Sequence, residues 1–139
     1  PCSGNIWGDC ARSYIVENGF VSATPTNPEL RRGVEAESYL HAEMRKFVNP
    51  DVSFHTLHEF ANDLITSIGF VNLDFLGNVG HSIANTLDGR LFIEAGNHQK
   101  LASTRFFTFE PHIRHHNGKW GFKHEDIYYF DDSGGIVVL

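Results

Sequence analysis

Two glutamates in the last third of the chain stand where carboxylates are costly. Glu110 ends the run Phe107-Thr108-Phe109, and Glu125 lies inside the aromatic stretch that leads to Tyr128 and Tyr129. Both runs read as β-strands from their aromatic and β-branched content. An unpaired charge in such surroundings is expensive to bury, so each glutamate calls for a compensating partner. A metal ion is the strongest candidate. A glycine-flanked histidine, His81 in Val79-Gly80-His81-Ser82-Ile83, precedes them, and Asp9 opens the chain in Gly8-Asp9-Cys10-Ala11-Arg12-Ser13. Hard carboxylate oxygens with one imidazole suit Mn²⁺, Co²⁺, Fe²⁺ or Zn²⁺.

These groups must be held by elements that the local sequence signals. Asn5 to Trp7, Arg12 to Val16 and Phe20-Val21 read as a hairpin-like β region turning at Glu17-Asn18-Gly19. Asn27-Pro28 is an N-cap with proline at the first helical position, and apolar residues then recur at helical spacing to Val48. The spacing predicts a helix over 28–48, ended by Asn49-Pro50. Ser53 caps a second predicted helix that runs to Ile68, with Gly69 as its stop. Asp88-Gly89 predicts a tight turn joining 83–87 to 90–93. Three strands close the chain, at 104–110, 119–130 with a bend, and 136–139. Two helices on an antiparallel sheet make an α+β layer arrangement.

The order Asp, His, Glu, Glu and its flanking residues resemble the M24 metallopeptidases: Xaa-Pro aminopeptidases, prolidases, methionine aminopeptidases and creatinase. Gly8-Asp9 with Arg12-Ser13 looks like the family's second metal-ligand aspartate. Gly80-His81-Ser82-Ile83 is similar to its Gly-His-Gly-Ile motif. Phe107-Thr108-Phe109-Glu110-Pro111 is close to Phe-Thr-Ile-Glu-Pro, and Lys123-His124-Glu125-Asp126 stands where the family has Arg-Ile-Glu-Asp. The resemblance covers nearly the whole chain. It implies the C-terminal half of a pita-bread fold over residues 1–139, with the N-terminal half outside this chain.

By the same resemblance, Asp9, His81, Glu110 and Glu125 are metal ligands. The counterparts of Asp9 and Glu125 bridge two ions, while those of His81 and Glu110 bind one. The family's first aspartate falls upstream of Pro1, so one metal site is expected here rather than two. Glu110 is the expected catalytic residue that handles the proton, and His112, just past Glu110-Pro111, is the expected substrate contact. The implied reaction is hydrolysis of an amide bond near the N-terminus of a short peptide by metal-activated water. Two departures stand against it. Ile93 occupies the place of a second family histidine, and Lys123 replaces arginine, keeping the charge but not the bidentate fork. The alternatives are a non-catalytic or truncated homologue acting as a binding module, and a creatinase-like hydrolase of a small non-peptide amide.

Each residue also has a plainer reading. Asp9 suits a turn or cap, His81 a loop, and the crowded aromatics a sheet interior. His55 and His58 lack an evident third ligand, and His115 and His116 adjoin an exposed Asn117-Gly118 turn. Cys10 reads as a small buried residue, and Glu94 as either a cleft or a loop carboxylate.

Composition narrows the class. The chain has 139 residues, 41% apolar and 20% charged, which fits one globular domain. A net charge of −6 argues against a nucleic-acid surface. No apolar run reaches membrane-spanning length, and residues 1–10 lack the pattern of a secretory leader. Cys2 and Cys10 form no disulfide framework, so a cytoplasmic setting is expected. Half of a pita-bread fold would leave an apolar face, predicting a homo-oligomer or cover by the missing half. The Phe-rich C-terminal strands and the second helix are the faces expected to need that cover.

Overall fold

The computed structural model describes residues 2–3 and 6–139, with side chains from residue 8 on. Of the first predicted strand, Asn5 lies outside the described residues. The chain begins with the antiparallel pair β1 (Cys2–Ser3) and β2 (Ile6–Trp7). A second short pair follows, β3 (Val16–Glu17) and β4 (Phe20–Val21), turning through Asn18 and Gly19 at φ 53° and 84°. Ile15 extends this hairpin by accepting from the Ser22 amide at 2.8 Å, but Arg12 and Ser13, expected in the same strand, take a distant partner instead. Arg12 forms a bridge with His124, and Ser13 exchanges hydrogen bonds with the Lys123 backbone.

Both helices start where their caps predict. In α1 (Pro28–Phe47) the Asn27 side chain accepts from the Glu29 amide, and in α2 (Phe54–Ser67) Ser53 accepts from Thr56. Each such cap stabilises its helix by about 1 kcal/mol. Gly69, at φ 81°, ends α2. The buried face of α1 carries Gly33, Ala36, Glu37, Leu40, His41 and Met44, so two polar residues sit among the apolar ones.

Two three-stranded antiparallel sheets follow. One has the order β5 (Phe70–Asn72), β7 (His112–His115), β8 (Gly121–Lys123). The other has the order β10 (Ile136–Val138), β9 (Asp126–Phe130), β6 (Phe107–Phe109). The predicted 119–130 strand is thus two strands in different sheets, parted at His124-Glu125. Strands β5 and β7 were not foreseen, and residues 101–103 before β6 form a short 3₁₀ turn. The predicted 83–87/90–93 hairpin is also shifted. Pairing runs instead between 79–82 and 91–93, through His81↔Phe92 and Ser82 N–H to the Leu91 carbonyl, 2.7 Å. Residues 87–89 are a 3₁₀ turn inside the wider loop.

The helices pack on the first sheet, α1 across β7 and β8 and α2 against β5. Gly33 lets the Phe122 ring lie directly on α1, since a Cβ there would sit 2.2 Å from the ring. Burial of Phe122, Phe107, Phe109 or Tyr128, each at most 1% exposed, stabilises the fold by about 1.5–3 kcal/mol apiece. The buried face of α2 and one face of these aromatic strands are therefore covered by the chain itself, while Trp120, Val138 and Leu139 of the C-terminal region stay exposed. Further exposed large apolar groups include Tyr14, Val16, Phe20 and Val21 around the β3–β4 pair and Phe75-Leu76 in the loop after β5. Cys10 is exposed rather than buried. Among the described residues no helix is long and apolar enough to cross a membrane.

Candidate metal centre

Asp9, His81, Glu110 and Glu125 come from four separate segments that the fold draws together. The His81 limb lies flat against β6: Thr108 N–H donates to the His81 carbonyl at 2.7 Å, and Glu110 N–H to Val79 at 2.8 Å. That contact depends on Gly80, at φ 154°, where a Cβ would fall 2.2 Å from the Thr108 carbonyl oxygen. Gly80→Ala is accordingly expected to lower stability by about 1–3 kcal/mol in urea unfolding, through overpacking against backbone that cannot yield. An unchanged midpoint would mean that the limb is free to shift.

The His81 ring is 4% exposed as a residue, and its Nδ1 is 3.0 Å from the Ser82 carbonyl. A carbonyl only accepts, so Nδ1 carries the hydrogen and Nε2 faces the carboxylates. Nε2 is 3.3 Å from Glu110 Oε1 and 3.5 Å from Asp9 Oδ1. Ligand atoms of Asp9, His81 and Glu125 all lie within 4.8 Å of one another. Glu110 stands beside this trio, its Oε2 drawn 2.7 Å from Lys123 Nζ.

Glu125 occupies the bend between β8 and β9, its amide donating to the Ala11 carbonyl at 2.9 Å. The residue is 3% exposed, and Oε1 is sealed from solvent without a hydrogen-bond partner. Burial first, then the charges of Glu110 and Asp9, push its carboxyl up to about 7. A buried carboxylate oxygen lacking a donor, facing an imidazole nitrogen and further carboxylates, is the donor set of a hard divalent cation. The residues present fit such an ion.

Three supporting residues were missed in the sequence. Thr108 Oγ1 accepts from His81 N–H at 3.0 Å and lies 3.2 Å from Glu110 Oε1, tying the two ligand candidates together. Its position two before Glu110, on the same strand face, was the available signal. Arg90, 3.4 Å from Asp9, comes from the loop that the sequence reading took for strand. Asp126 is held by Arg12 at 2.6 Å and by His124 at 2.9 Å, which fixes the chain just past Glu125.

A cavity of about 130 Å³ adjoins Glu110 and is lined by His112, Lys123, Asp74, Asn78 and Phe92 among others. His112 is thus at the mouth of the site, its basicity reduced by partial burial and by Lys123. A larger concavity, about 860 Å³, lies elsewhere, at Pro50, Phe106 and Tyr129, and contains none of the four convergent residues. Ile93 is fully buried in the core, as an apolar side chain in that place should be. His55 pairs with Glu59 at 3.4 Å, and His115 stacks near His116; neither pair gathers a third ligand among the described residues. Glu94 is half-buried in the loop that follows.

The sequence pattern of Metallopeptidase family M24 matches residues 2–132. No curated protein sequence matches this chain. Among solved structures, a recombinant prolidase from Thermococcus sibiricus superposes with a TM-score of 0.73 at 20% identity, over 96% of this chain and 34% of that one. An X-Pro aminopeptidase from Thermotoga maritima gives 0.71 at 21%, over 96% and 35%. A methionine aminopeptidase from Thermotoga maritima gives 0.72 at 16%, over 97% and 58%. The chain therefore spans about a third of the first two and somewhat over half of the third. At these identities the likeness establishes the fold, which is the α+β pita-bread architecture anticipated from the motifs.

Proposed function

Because this chain belongs to metallopeptidase family M24, we propose that it supplies the metal-binding half of a hydrolase that cleaves an amide bond near the N-terminus of a short peptide. The observation that carries this reading is the buried, partnerless Oε1 of Glu125, on a carboxylate that comes within 4.8 Å of the ligand atoms of His81 and Asp9. Asp9, His81, Glu110 and Glu125 hold one divalent cation, of the Mn, Co, Fe or Zn class. A cation there supplies Lewis-acid polarisation of a carbonyl and acidification of water. Glu110 takes and returns the proton, its orientation set by Thr108 and Lys123. His112 contacts the substrate at the rim of the adjoining cavity. The exposed apolar groups around β3 and β4 support further polypeptide, or a second copy, covering that surface. The working compartment is the cytoplasm.

A second reading has one observation in its favour: the Lys123 ammonium already neutralises Glu110 in a chain that carries Ile93 where a family histidine would stand. It makes the chain a non-catalytic homologue that keeps the fold as a binding module. Isothermal titration with Mn²⁺ tests the first reading. The expected result is one cation bound per chain, with a rise in melting temperature worth about 2.7 kcal/mol at a hundredfold excess over Kd. Hydrolysis of an Xaa-Pro dipeptide by the loaded chain alone is expected to be slow, for want of the remaining ligand and cleft. Absence of binding at millimolar Mn²⁺, Co²⁺ and Zn²⁺ would leave only the second reading.

A further inference from the structure

His41 lies on the buried face of α1, 2% exposed, away from the candidate ligands in sequence. Its Nε2 is 3.1 Å from the His124 carbonyl and its Nδ1 2.8 Å from the Tyr128 hydroxyl. The carbonyl only accepts, so Nε2 donates to it, and Nδ1 accepts from Tyr128. The ring stacks on His124, centroids 4.0 Å apart, and meets Phe109 edge-on at 5.0 Å. Those two neighbours immediately precede Glu125 and Glu110. One side chain thus braces the approach to both glutamates from beneath.

His41, His124 and Asp126 also place ligand atoms within 4.8 Å of one another. They are nevertheless a hydrogen-bonded frame and not a second cation site. Both His41 nitrogens are engaged, and the Arg12 guanidinium, 2.6 Å from Asp126, already neutralises its carboxylate. Arg12 also donates to the Glu125 carbonyl at 3.1 Å, so the frame grips the bend from its other side. Burial, reinforced by His124, lowers the His41 pKa to about 4, which keeps the ring neutral in this role.

We propose that His41 is a positioning residue that sets the directions in which Glu110 and Glu125 face the cation. The proposal rests on the reading of those glutamates as metal ligands. Hydrogen-bonded groups behind metal ligands commonly govern affinity without touching the ion. His41 reaches its ligands through the backbone of the residue before one and the ring packing of the residue before the other.

The test compares His41→Phe, His41→Gln, Tyr128→Phe and Leu40→Ala in this chain. Glutamine presents a donor and an acceptor on one flat group, whereas phenylalanine keeps only the ring. Leu40→Ala destabilises the same helix from a fully buried apolar position. Two readouts are taken: Mn²⁺ affinity by titration, and hydrogen exchange of the Glu110 and Glu125 amides in the metal-free chain. His41→Phe is expected to weaken Mn²⁺ binding about 10–100-fold and to speed both amides beyond the general rise seen in Leu40→Ala, while His41→Gln and Leu40→Ala keep Mn²⁺ affinity within about threefold of wild type. Wild-type affinity and exchange in His41→Phe would overturn the proposal. So would an equal loss in Leu40→Ala, which would make the role merely structural. Should His41→Phe fail to fold, Tyr128→Phe decides: unchanged affinity and exchange there would overturn the proposal, and a several-fold loss would support it. Failure of the wild type to bind Mn²⁺ would sink the metal reading alone, with the exchange comparison still deciding His41.

Discussion

Glu125→Gln is expected to make the metal-free chain more stable while abolishing its response to Mn²⁺. Glu125 Oε1 is buried without a partner, and Glu110 and Asp9 add two further negative groups beside it. Burying such a charge opposes folding, and a neutral isostere removes that opposition. The gain should be about 1–3 kcal/mol, seen as a higher urea midpoint in the presence of a chelator. On the proposed ligation, the same change replaces a charged ligand by a weak neutral one. Outer-sphere partners alone change affinity by about 10–100-fold, so a direct ligand should cost at least the upper end of that range. Opposite signs in the two measurements are the signature of a residue kept for ligation against the interest of the apo fold. A lower midpoint in Glu125→Gln, or wild-type affinity for Mn²⁺, would show that the carboxylate serves the fold instead.

Glu37 should dominate the pH dependence of stability. It lies on the buried face of α1, 4% exposed, and neither carboxylate oxygen has a hydrogen-bond partner. Burial pushes its carboxyl up to about 9, with Lys123 opposing. Between its ordinary value of 4.5 and about 9, the unfolded chain releases a proton that the folded chain keeps. Stability from this group is therefore full below the lower value and declines as pH rises, by up to about 1.4 kcal/mol per pH unit. Glu37→Met removes that decline and fills the space with an apolar chain. The expected gain is roughly 2–4 kcal/mol at pH 8 and much less at pH 5, from urea unfolding at both values. Parallel pH profiles for wild type and Glu37→Met would mean that the carboxyl finds a partner in solution.

The helices were legible because their signals are local. Asn27-Pro28, Ser53 and Gly69 act within a turn of themselves, and the structure keeps all three. The sheets were harder because their determinants are distant. In β7, His112-Ile113-Arg114-His115 puts only Ile113 fully inside and reads as polar loop. The aromatic run through 119–130 looks continuous, yet Arg12 and Ser13, from the far end of the chain, bond to it where it changes sheet. Asp88-Gly89 suggested a tight turn, but the Ser82 hydroxyl accepts the Leu91 amide and fixes pairing further from the tip. In the site, the four ligand candidates announced themselves by their flanking motifs. Arg90 and His41 did not, since nothing near them in sequence says what they touch. Cys10 was misread because it lies in irregular chain between β2 and β3, where no periodicity signals which way a side chain faces.

The seam at His124-Glu125 bears on the order of events in folding. One ligand candidate arrives from the start of the chain, one from its middle and two from its end, and the Glu125 amide closes on the Ala11 carbonyl. Such a constellation demands the largest loops the chain has to close, so it forms late and slowly. A cation cannot seed this fold the way it seeds a zinc finger, whose ligands are neighbours. A cation bound by these residues would enter a pocket already assembled, and its capture would mark the end of the folding reaction rather than its nucleus.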